Sequence, residues 1–310
     1  MHSTRHGNQD SSITGRGPFV FGYGFRMSLA VSACVICKNE AARISQCLNS
    51  LAWCGDIVVV DSGSTDGTAE IAAAHPSKPR VISHDWSGYN RQREFAVSQC
   101  ANDWVLALDA DEECSPELAA EIQTLEPVPD VGMFRIPRKN FLAMREVRCW
   151  SPDYQTRLIH RRRTLWDSDG VPEVRRPAVG FAIRSLKQAL LHNRSKPFAE
   201  SDFNDGAIMA ERASLLAGHL QQQGRRAGWG NLLFRPILTF FKYFILRGGF
   251  LQGRFGLVIA YKTTIGVMLK YSVLYGRQEL APPDSHQHAQ AATTPPPEFK
   301  SGAGQGTAQK

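Results

Sequence analysis

The sequence WVLALDADEE, residues 104–113, decides the fold of this chain. Its first five residues are apolar and bounded by polar ones, a pattern that predicts a strand buried on both faces of a parallel sheet. The strand runs into Asp109 and Asp111, which are separated by one small residue. Open α/β sheets bind ligands at the carboxyl ends of their strands, and two carboxylates spaced in this way can bind one divalent cation. A D-x-D triplet is nevertheless common by chance in a chain with 29 acidic residues, so the surrounding sequence must decide its meaning.

The segment around this strand alternates between strand and helix patterns. Continuous apolar runs predict strands, whereas helical spacing of apolar residues and capping signals predict helices. The predicted strands cover residues 29–37, 57–60, 80–83 and 104–108, and the predicted helices cover residues 41–51, 65–74, 89–100 and 116–125. Thr65 and Ser115 are the expected N-caps of two of these helices. The repeat predicts a doubly wound α/β fold with a mainly parallel sheet.

Polar residues follow every predicted strand. They are Asn39 and Glu40, then Asp61, then Asp85, and finally Asp109 and Asp111. Because the carboxyl ends of parallel strands share one edge of the sheet, we expect a ligand site at that edge. The first turn reads Lys-Asn-Glu instead of G-x-G-x-x-G, and the sequence contains no P-loop signature, so neither a dinucleotide-dependent oxidoreductase nor a P-loop enzyme is indicated.

The composition indicates an acidic partner and a reduced compartment. The chain of 310 residues has a net charge of +7 and a pI near 9.1, which suits nucleic acid, nucleotide phosphate or an anionic membrane. Its seven cysteines are scattered in apolar segments, which is not the pattern of a disulfide framework. Cys34 and Cys37 lie in one predicted strand and would point to opposite faces, so a shared zinc ion is not expected.

The positive charge is concentrated near the end of the chain. No Asp or Glu occurs between Glu211 and Glu279, where Arg and Lys alternate with Phe, Leu, Ile and Tyr. The apolar runs 237–241 and 255–261 are each broken by a cation before the ~20 residues that a membrane span requires. This pattern predicts basic amphipathic helices that lie in a membrane interface. A helical lid on the first domain is the alternative, and nucleic acid is not expected as a partner because this stretch is apolar and lacks a known motif.

The order of these motifs resembles family 2 inverting glycosyltransferases of the GT-A fold. The resemblance covers residues 28–125 and rests on the K-N-E turn, the stretch VVVDSGSTDGT at 58–68, the pair Gln92-Arg93, and the stretch 104–112. A second block, with FRIPR at 134–138 and SPDYQTRL at 151–158, is similar to the subgroup that adds a β-linked glucose to the lipopolysaccharide inner core. That subgroup usually reads Val-His-Glu where this chain has Val-Pro-Glu at 171–173, so the resemblance does not carry acceptor recognition over to this position.

The resemblance implies which residues bind the donor and the metal. Asp61 would contact the uracil or ribose of a UDP-sugar, and Asp109 would face the ribose and the metal. Asp109 and Asp111 would hold Mg²⁺ or Mn²⁺ on the diphosphate, since hard cations prefer carboxylate and phosphate oxygens. The full set of residues implied to bind the nucleotide-sugar is Cys37, Asn39, Glu40, Asp61, Gln92, Arg93, Asp109 and Ala110.

Inversion by single displacement also requires a carboxylate that takes the proton of the acceptor hydroxyl. Glu173 and Asp153 are the candidates, and the resemblance favours Glu173. The alternatives are a surface carboxylate paired with a neighbouring arginine for Glu173 and a turn residue after Pro152 for Asp153. The aromatic residues Trp150, Tyr154 and Trp166 either stack on sugar rings or belong to the core. Three histidines, His84, His160 and His192, are expected to be structural or exposed to solvent.

We therefore expect four parts in the chain. Disordered tails cover residues 1–26 and 281–310, with Met27 as a plausible natural start and no signal peptide before it. A GT-A domain covers residues 27–198, with a nucleotide-sugar half at 27–125 and an acceptor half at 126–198, and a basic amphipathic helical region covers residues 199–280. The expected function is transfer of a hexose from a UDP-sugar to a lipopolysaccharide core or other lipid-linked glycan, on the cytoplasmic face of the inner membrane. A polyprenyl-phosphate glycosyltransferase and a non-catalytic nucleotide- or glycan-binding protein are the alternatives.

Overall fold

The computed structural model describes residues 29–166, 175–193 and 206–279. The predicted terminal tails and the Val-Pro-Glu motif that contains Glu173 lie outside these residues.

A mixed sheet of ten strands forms the centre of the described structure, with a separate two-stranded ribbon beside it. The strands are β1 (Val31–Cys37), β2 (Ile57–Asp61), β3 (Arg80–Ser83), β4 (Trp104–Asp109), β5 (Glu112–Cys114), β6 (Val131–Leu142), β7 (Arg145–Glu146), β8 (Tyr154–His160), β9 (Thr164–Trp166), β10 (Arg175–Pro177), β11 (Ala182–Ser185) and β12 (Leu190–His192). Their order is β3-β2-β1-β4-β8-β6-β12-β5, with β7 and β11 also paired to β6 and with β9 and β10 in the ribbon.

The sheet is parallel in its first half and mixed in its second. Strands β3, β2, β1 and β4 run parallel, and β8 is antiparallel to both β4 and β6. Strand β12 then runs parallel to β6 and antiparallel to β5. The expected α/β fold is confirmed, and the four strands predicted in its first half are present within two residues of their predicted ends.

Seven α-helices are described. They are α1 (Ile44–Ser50), α2 (Thr68–Ala73), α3 (Tyr89–Ser98), α4 (Pro116–Gln123), α5 (Gly206–Gln222), α6 (Arg235–Phe241) and α7 (Gly253–Glu279). Two π-helical segments, Gly230–Phe234 and Lys242–Leu246, flank α6. Single 3₁₀ turns occur at Arg148–Trp150 and Gly249–Gln252.

Both faces of the parallel strands are covered. Ala33, Val35 and Cys37 of β1 belong to a cluster that contains apolar side chains of α1 and α4. Cys34 and Ile36 belong to a second cluster, which α3 completes from the other face. Successive residues of a strand point to opposite faces, so Cys34 and Cys37 lie in different clusters and do not share a metal. All seven cysteines are buried and unpaired, as the sequence indicates.

The second helix begins later than predicted. Its N-cap is Gly67, with a φ of 88°, and not Thr65. The backbone N–H of Thr65 donates instead to Oδ1 of Asn39 at 2.9 Å, because the loop after β2 is bound to the loop after β1. By contrast, Ser115 caps α4 as predicted and accepts a hydrogen bond from the N–H of Leu118 at 3.1 Å.

The C-terminal helices pack on the segment that leads into Asp153. The indole N–H of Trp150 donates to Oγ1 of Thr263 at 3.1 Å, and Arg247 donates to the carbonyl of Trp150 at 3.1 Å. Ile259 joins a small buried cluster with apolar residues of β6 and the turn after it. The C-terminal helices are therefore attached to the end of β6 and to the segment that follows it.

The longest helix is more continuous than the sequence indicated. Of the two apolar runs that we expected to be too short to span a membrane, 255–261 is part of a 27-residue helix, α7, whereas 237–241 lies in α6. Within the described part of the chain, Gly249–Glu279 is the one segment long and apolar enough to cross a membrane, by length and composition alone. Only about a fifth of its most apolar window is buried in the protein.

Candidate active site

The carboxyl ends of β1, β2 and β4 meet at one edge of the sheet, as predicted. Asp61 is buried and shapes the turn after β2, because its Oδ2 accepts from the N–H groups of Gly63 (3.1 Å) and Ser64 (2.9 Å). The thiol of Cys37 lies 3.5 Å from Oδ1 of Asp61. Asp61 and Cys37 therefore belong to one buried polar contact at the bottom of this edge.

The turn after β1 is bound to the loop after β2. Asn39 has a positive φ of 56°, and its backbone N–H donates to Oγ of Ser64 at 2.9 Å. The backbone N–H of Glu40 donates to Oγ1 of Thr68 at 2.8 Å, and the carboxylate of Glu40 pairs with Arg43. The residues expected to line the nucleoside pocket therefore form a pre-organised pair of loops.

Helix α3 contributes two buried polar side chains to the same edge. Gln92 is fully buried and donates to Oγ of Ser62 at 2.9 Å and to the carbonyl of His84 at 3.1 Å. His84 binds Gln92 through Nδ1 at 2.9 Å and stacks on Phe95, which confirms a structural role for this histidine. Arg93, only 1% exposed, donates to Oδ1 of Asp109.

Two guanidinium groups hold Asp109. Arg93 binds its Oδ1 and Arg157, from β8, binds its Oδ2. Burial acts to raise the pKa of Asp109, but the charges of Arg157 and Arg93 outweigh it and hold the pKa well below its usual range. Asp109 is therefore ionised, and its two oxygens already accept hydrogen bonds. Ala110, buried at the turn, separates it from Asp111.

Asp111 faces His192, which the sequence led us to expect as a structural or solvent-exposed residue and not as part of the site. Nε2 of His192, the last residue of β12, lies 3.2 Å from Oδ2 of Asp111, and both side chains are about a quarter exposed. Burial acts to raise the pKa of Asp111, but the hydrogen bond and charge of His192 lower it below its ordinary value. Because β12 is a short apolar run that ends in a polar residue, the strand-end rule that found Asp111 also applies to His192.

A continuous network of ion pairs joins Asp109 to Asp153 through the interior of the protein. Glu112 is completely buried between Arg157 and Arg138, whose Nη1 lies 3.0 Å from Oε1 of Glu112. Arg138 also pairs with Asp153 at 2.9 Å. Sequence reasoning missed Glu112, because it reads as one more acid in an acidic stretch.

Asp153 lies in this network with both oxygens hydrogen-bonded. Its Oδ2 accepts from Arg138 and from Asn140 at 3.0 Å each, and its Oδ1 accepts from Gln155 at 2.8 Å. Burial acts to raise the pKa of Asp153, but Arg138 and the hydrogen bonds from Asn140, Arg138 and Gln155 lower it overall. The other candidate base, Glu173, lies outside the described residues.

The predicted aromatic residues occupy different surroundings. Trp150 is half-buried against α7, and Tyr154 is 50% exposed with the guanidinium of Arg135 5.7 Å from its ring centre. Trp166 packs beside the second core cluster. His160 is buried and packs edge-on against Trp104, and burial lowers its pKa. Of the three candidate sugar-stacking residues, Trp150, Tyr154 and Trp166, Tyr154 therefore has the largest exposed fraction.

Asp111 and His192 have the chemistry to hold a divalent cation. A carboxylate and an imidazole face each other at the exposed edge, and Mg²⁺ or Mn²⁺ bound by one or two side chains normally completes its shell with phosphate and water oxygens. No group of three His, Cys, Asp or Glu side chains with metal-binding geometry occurs among the described residues. The arrangement therefore fits a cation shared with a bound ligand and not a closed structural site.

Comparison with known proteins gives a consistent result. Residues 32–181 match the profile described as Glycosyl transferase family 2. The lipopolysaccharide core biosynthesis glycosyltransferase LpsC of Rhizobium meliloti (strain 1021) is 30% identical over 266 residues, which cover 79% of this chain and 94% of LpsC. An uncharacterized glycosyltransferase of Rickettsia felis is 31% identical over 241 residues, covering 74% of this chain and 83% of that protein.

Solved structures also resemble the chain. Glucosyl-3-phosphoglycerate synthase from Mycobacterium tuberculosis, in complex with Mn²⁺, UDP and phosphoglyceric acid, is 19% identical, with a TM-score of 0.40, over 66% of this chain and 82% of that one. The relationship to LpsC covers most of both chains, and the α/β architecture is that expected of the GT-A type. The chain belongs to glycosyl transferase family 2 and is a glycosyltransferase related to a lipopolysaccharide core biosynthesis enzyme.

Proposed function

We propose that this glycosyltransferase transfers a hexose, glucose by resemblance, from a UDP-sugar to a lipopolysaccharide inner-core acceptor with inversion at the anomeric carbon. The observation that carries the proposal is the pairing of Asp111 with His192 at the sheet edge, next to Asp109. This pair lies in a chain that is 30% identical to LpsC along most of its length. A cation held there would meet the diphosphate of a donor bound across the ends of β1, β2 and β4.

The donor site divides into a nucleoside part and a diphosphate part. We assign the uracil and ribose to the interlocked loops that carry Cys37, Asn39, Glu40 and Asp61, with Gln92 and Ala110 supporting them. These loops are held by hydrogen bonds from backbone N–H groups to side-chain oxygens, so they are pre-organised for a planar base.

The diphosphate part contains the charges. We assign Asp111 and His192 as direct holders of Mg²⁺ or Mn²⁺, because the oxygens of Asp109 are already bound by Arg93 and Arg157. Asp109 then lies beside the cation and keeps the two guanidiniums in place. The bound cation would act as a Lewis acid that neutralises the departing UDP.

Glu173 is the carboxylate that we propose as the catalytic base. A general base works best when its pKa lies near the operating pH, and Asp153 is a poor candidate because its pKa is lowered and both oxygens are engaged. We assign Asp153 a supporting role at the metal site. With a lipid core acceptor, Glu173→Gln should lower kcat by about 10²–10⁴-fold, whereas Glu70→Gln, an exposed change on α2, should not.

The C-terminal helices offer a surface that suits an anionic membrane. Along α7, exposed apolar side chains recur at helical spacing on the side away from the protein: Val258, Tyr261, Ile265, Met268 and Tyr275. A second set lies along α6 and its π-helical flanks: Leu233, Phe234, Ile237, Leu238, Phe241, Ile245 and Leu246. Residues 212–278 include cations but no acid.

We infer from this surface that the protein attaches peripherally to the cytoplasmic face of the inner membrane. Exposed apolar side chains with interspersed Arg and Lys favour the interface of an anionic bilayer. Because Trp150 and Arg247 connect these helices to the segment before Asp153, attachment would place the acceptor half next to the bilayer surface. A lipid-linked acceptor would then reach the site from that side.

The donor and acceptor are tested by measuring UDP release. UDP-glucose, UDP-galactose and UDP-N-acetylglucosamine are each incubated with Mn²⁺ and either lipopolysaccharide core lipid or a polyprenyl phosphate. The proposal expects release that needs the core lipid. Release with polyprenyl phosphate alone would indicate a polyprenyl-phosphate glycosyltransferase, and binding of UDP-sugar without any release would indicate a non-catalytic protein.

A further inference from the structure

Asn140 bridges the acceptor-side carboxylate and the metal-side histidine. It lies on β6 and is only 4% exposed. Its Nδ2 donates to Oδ2 of Asp153 at 3.0 Å, and its Oδ1 lies 2.8 Å from Nδ1 of His192. The backbone carbonyl of Asn140 accepts from the N–H of Val147 at 2.8 Å. Both the backbone and the side chain of Asn140 are therefore held by hydrogen bonds.

The carboxylate fixes which way the amide of Asn140 points. An ionised carboxylate only accepts hydrogen bonds, and Asp153 is paired with Arg138 at 2.9 Å. The NH₂ group of Asn140 must therefore face Asp153, and its carbonyl oxygen must face His192. Amide orientations are normally assigned from such networks, and here the network allows one orientation.

The amide in turn fixes the tautomer of His192. An amide oxygen only accepts hydrogen bonds, so Nδ1 of His192 must carry a proton. In the neutral ring Nε2 then carries the lone pair.

Nε2 of His192 and Oδ2 of Asp111 are then two acceptors that face each other at 3.2 Å. Two acceptors at this distance repel each other unless a positive species lies with them. A divalent cation coordinated by both groups would supply that positive charge. Histidines that bind metals commonly donate their other ring N–H to a neighbouring acceptor, which sets the ring orientation.

We propose that Asn140, oriented by Asp153, is a positioning residue that directs the Nε2 lone pair of His192 toward Asp111 and so prepares this pair for a divalent cation. The inference rests on the proposed metal-dependent function. It assigns Asp153 to the support of the metal site and not to proton transfer. We call the hydrogen-bonded chain of Asp153, Asn140 and His192 the relay.

The first test reads the tautomer directly. Long-range ¹H–¹⁵N NMR correlations of the histidine rings in the full-length protein, with His192→Gln for assignment, distinguish Nδ1–H from Nε2–H. We expect His192 with a proton on Nδ1 in the neutral ring. A neutral ring protonated on Nε2 alone would overturn the proposal, and the tautomer is read in the wild-type protein, with the His192→Gln spectrum used only for assignment.

The second test measures metal affinity without turnover. Binding of Mn²⁺ in the presence of UDP, without sugar or acceptor, is followed by electron paramagnetic resonance of the free ion. Asn140→Leu should weaken Mn²⁺ binding by about 10–100-fold, which is the usual effect of losing a partner of a metal-bound histidine. Asp153→Asn should also weaken it, because an amide at 153 no longer fixes the orientation of Asn140.

Asn49→Leu is the matched control, since Asn49 also contacts a histidine ring, that of His75, at 3.1 Å away from the site. Mn²⁺ affinity within twofold of wild type in folded Asn140→Leu, or in His192→Ala, would overturn the inference. If these variants weaken Mn²⁺ binding but the wild-type protein turns over no UDP-sugar, the proposed function would be contradicted and the inference about Asn140 would stand.

Discussion

Arg157 and Glu112 form an ion pair in the interior of the protein, with Nε 2.8 Å from Oε2 and Nη2 2.9 Å from Oε1. Neither side chain is more than 4% exposed. The same guanidinium binds Asp109, and the same carboxylate binds Arg138. This pair therefore connects Asp109, at the end of β4, with Arg138 on β6.

Removing the charge of Glu112 should destabilise the protein. Loss of one partner of a buried ion pair leaves the other charge uncompensated and typically costs about 3–5 kcal/mol. We predict a loss of roughly this size in the free energy of unfolding of Glu112→Gln, measured by urea denaturation. Glu70→Gln, at an exposed position of α2, should stay within about 0.5 kcal/mol of wild type. A cost below about 1 kcal/mol for Glu112→Gln would show that the network does not depend on this charge.

Two glycines of α7 should respond in opposite directions to alanine. A Cβ on Gly256 would overlap the carbonyl oxygen of Gly249, whereas a Cβ on Gly266 would meet no atom within 4 Å. Gly256→Ala should therefore lower the free energy of unfolding by about 1–3 kcal/mol through overpacking. Gly266→Ala should raise it by up to about 1 kcal/mol through helix propensity. Equal effects in urea denaturation would show that the close approach of Gly249 and Gly256 is not required.

Asp56 should give the fold a pH-dependent stability. Its Oδ2 accepts from Ser32 at 2.6 Å and from the N–H of Ala101 at 2.7 Å, and Arg80 pairs with Oδ1 at 3.0 Å. Burial acts to raise the pKa of Asp56, but these hydrogen bonds and the charge of Arg80 lower it overall. A carboxyl with a lower pKa in the folded state contributes stability above its unfolded pKa of about 3.9, and this contribution is lost as the pH falls through the folded pKa.

The corresponding variant is Asp56→Asn. At pH 7 it should be less stable than wild type by about 1.5–3 kcal/mol, the usual value for hydrogen bonds to a charged group. The difference should shrink as the pH falls below ~3.9, where the carboxyl of the unfolded wild-type chain becomes protonated, and should be lost as the pH falls through the lower folded pKa. Urea midpoints at pH 7, 5 and 3 measure this trend, with the exposed Asp85→Asn as control. A difference that stays constant down to pH 3 would contradict the role of the charge.

The exposed apolar side chains along α7 form a stripe that should determine attachment to membranes. The stripe consists of Val258, Tyr261, Ile265, Met268 and Tyr275. Ile265 is 45% exposed in the middle of the stripe, and Val179, in the turn before β11, is 99% exposed. Replacing the aliphatic side chain by a carboxylate should weaken the free energy of binding to an anionic membrane by about 1.5–3 kcal/mol, because an apolar contact with the bilayer is lost and a negative charge is added. Ile265→Asp should therefore bind anionic vesicles at least about tenfold more weakly in a sedimentation assay, whereas Val179→Asp should bind as wild type does. Equal binding of the two variants would place the membrane contact elsewhere.

The parts of the fold that the sequence predicted are those with local signals. The apolar run 104–108 and the cap at Ser115 carry their information within a few residues, so the strand and the helix appear where expected. The start of α2 was misjudged because Thr65 is held by Asn39, 26 positions earlier in the chain. Propensity within a short window does not contain that contact.

The same limit explains which site residues were found. Asp109 and Asp111 end an apolar strand and were visible as a motif. His192 reaches Asp111 only because β12 pairs with β5, and it binds Asn140 across 52 positions of sequence. Arg157 meets Glu112 across 45 positions. Strand pairings at this separation are set by the completed sheet, and a single sequence does not specify them.

The most direct test of the central claim is UDP release by wild type and Asp111→Ala, each with Mn²⁺ and with EDTA, using core lipid as acceptor. We predict turnover by wild type that EDTA abolishes and a loss of at least about 10²-fold in kcat for Asp111→Ala, the usual cost of removing a group that stabilises the charge of a transition state. Turnover that survives both EDTA and Asp111→Ala would contradict the assignment of a metal-bound nucleotide diphosphate to this edge of the sheet.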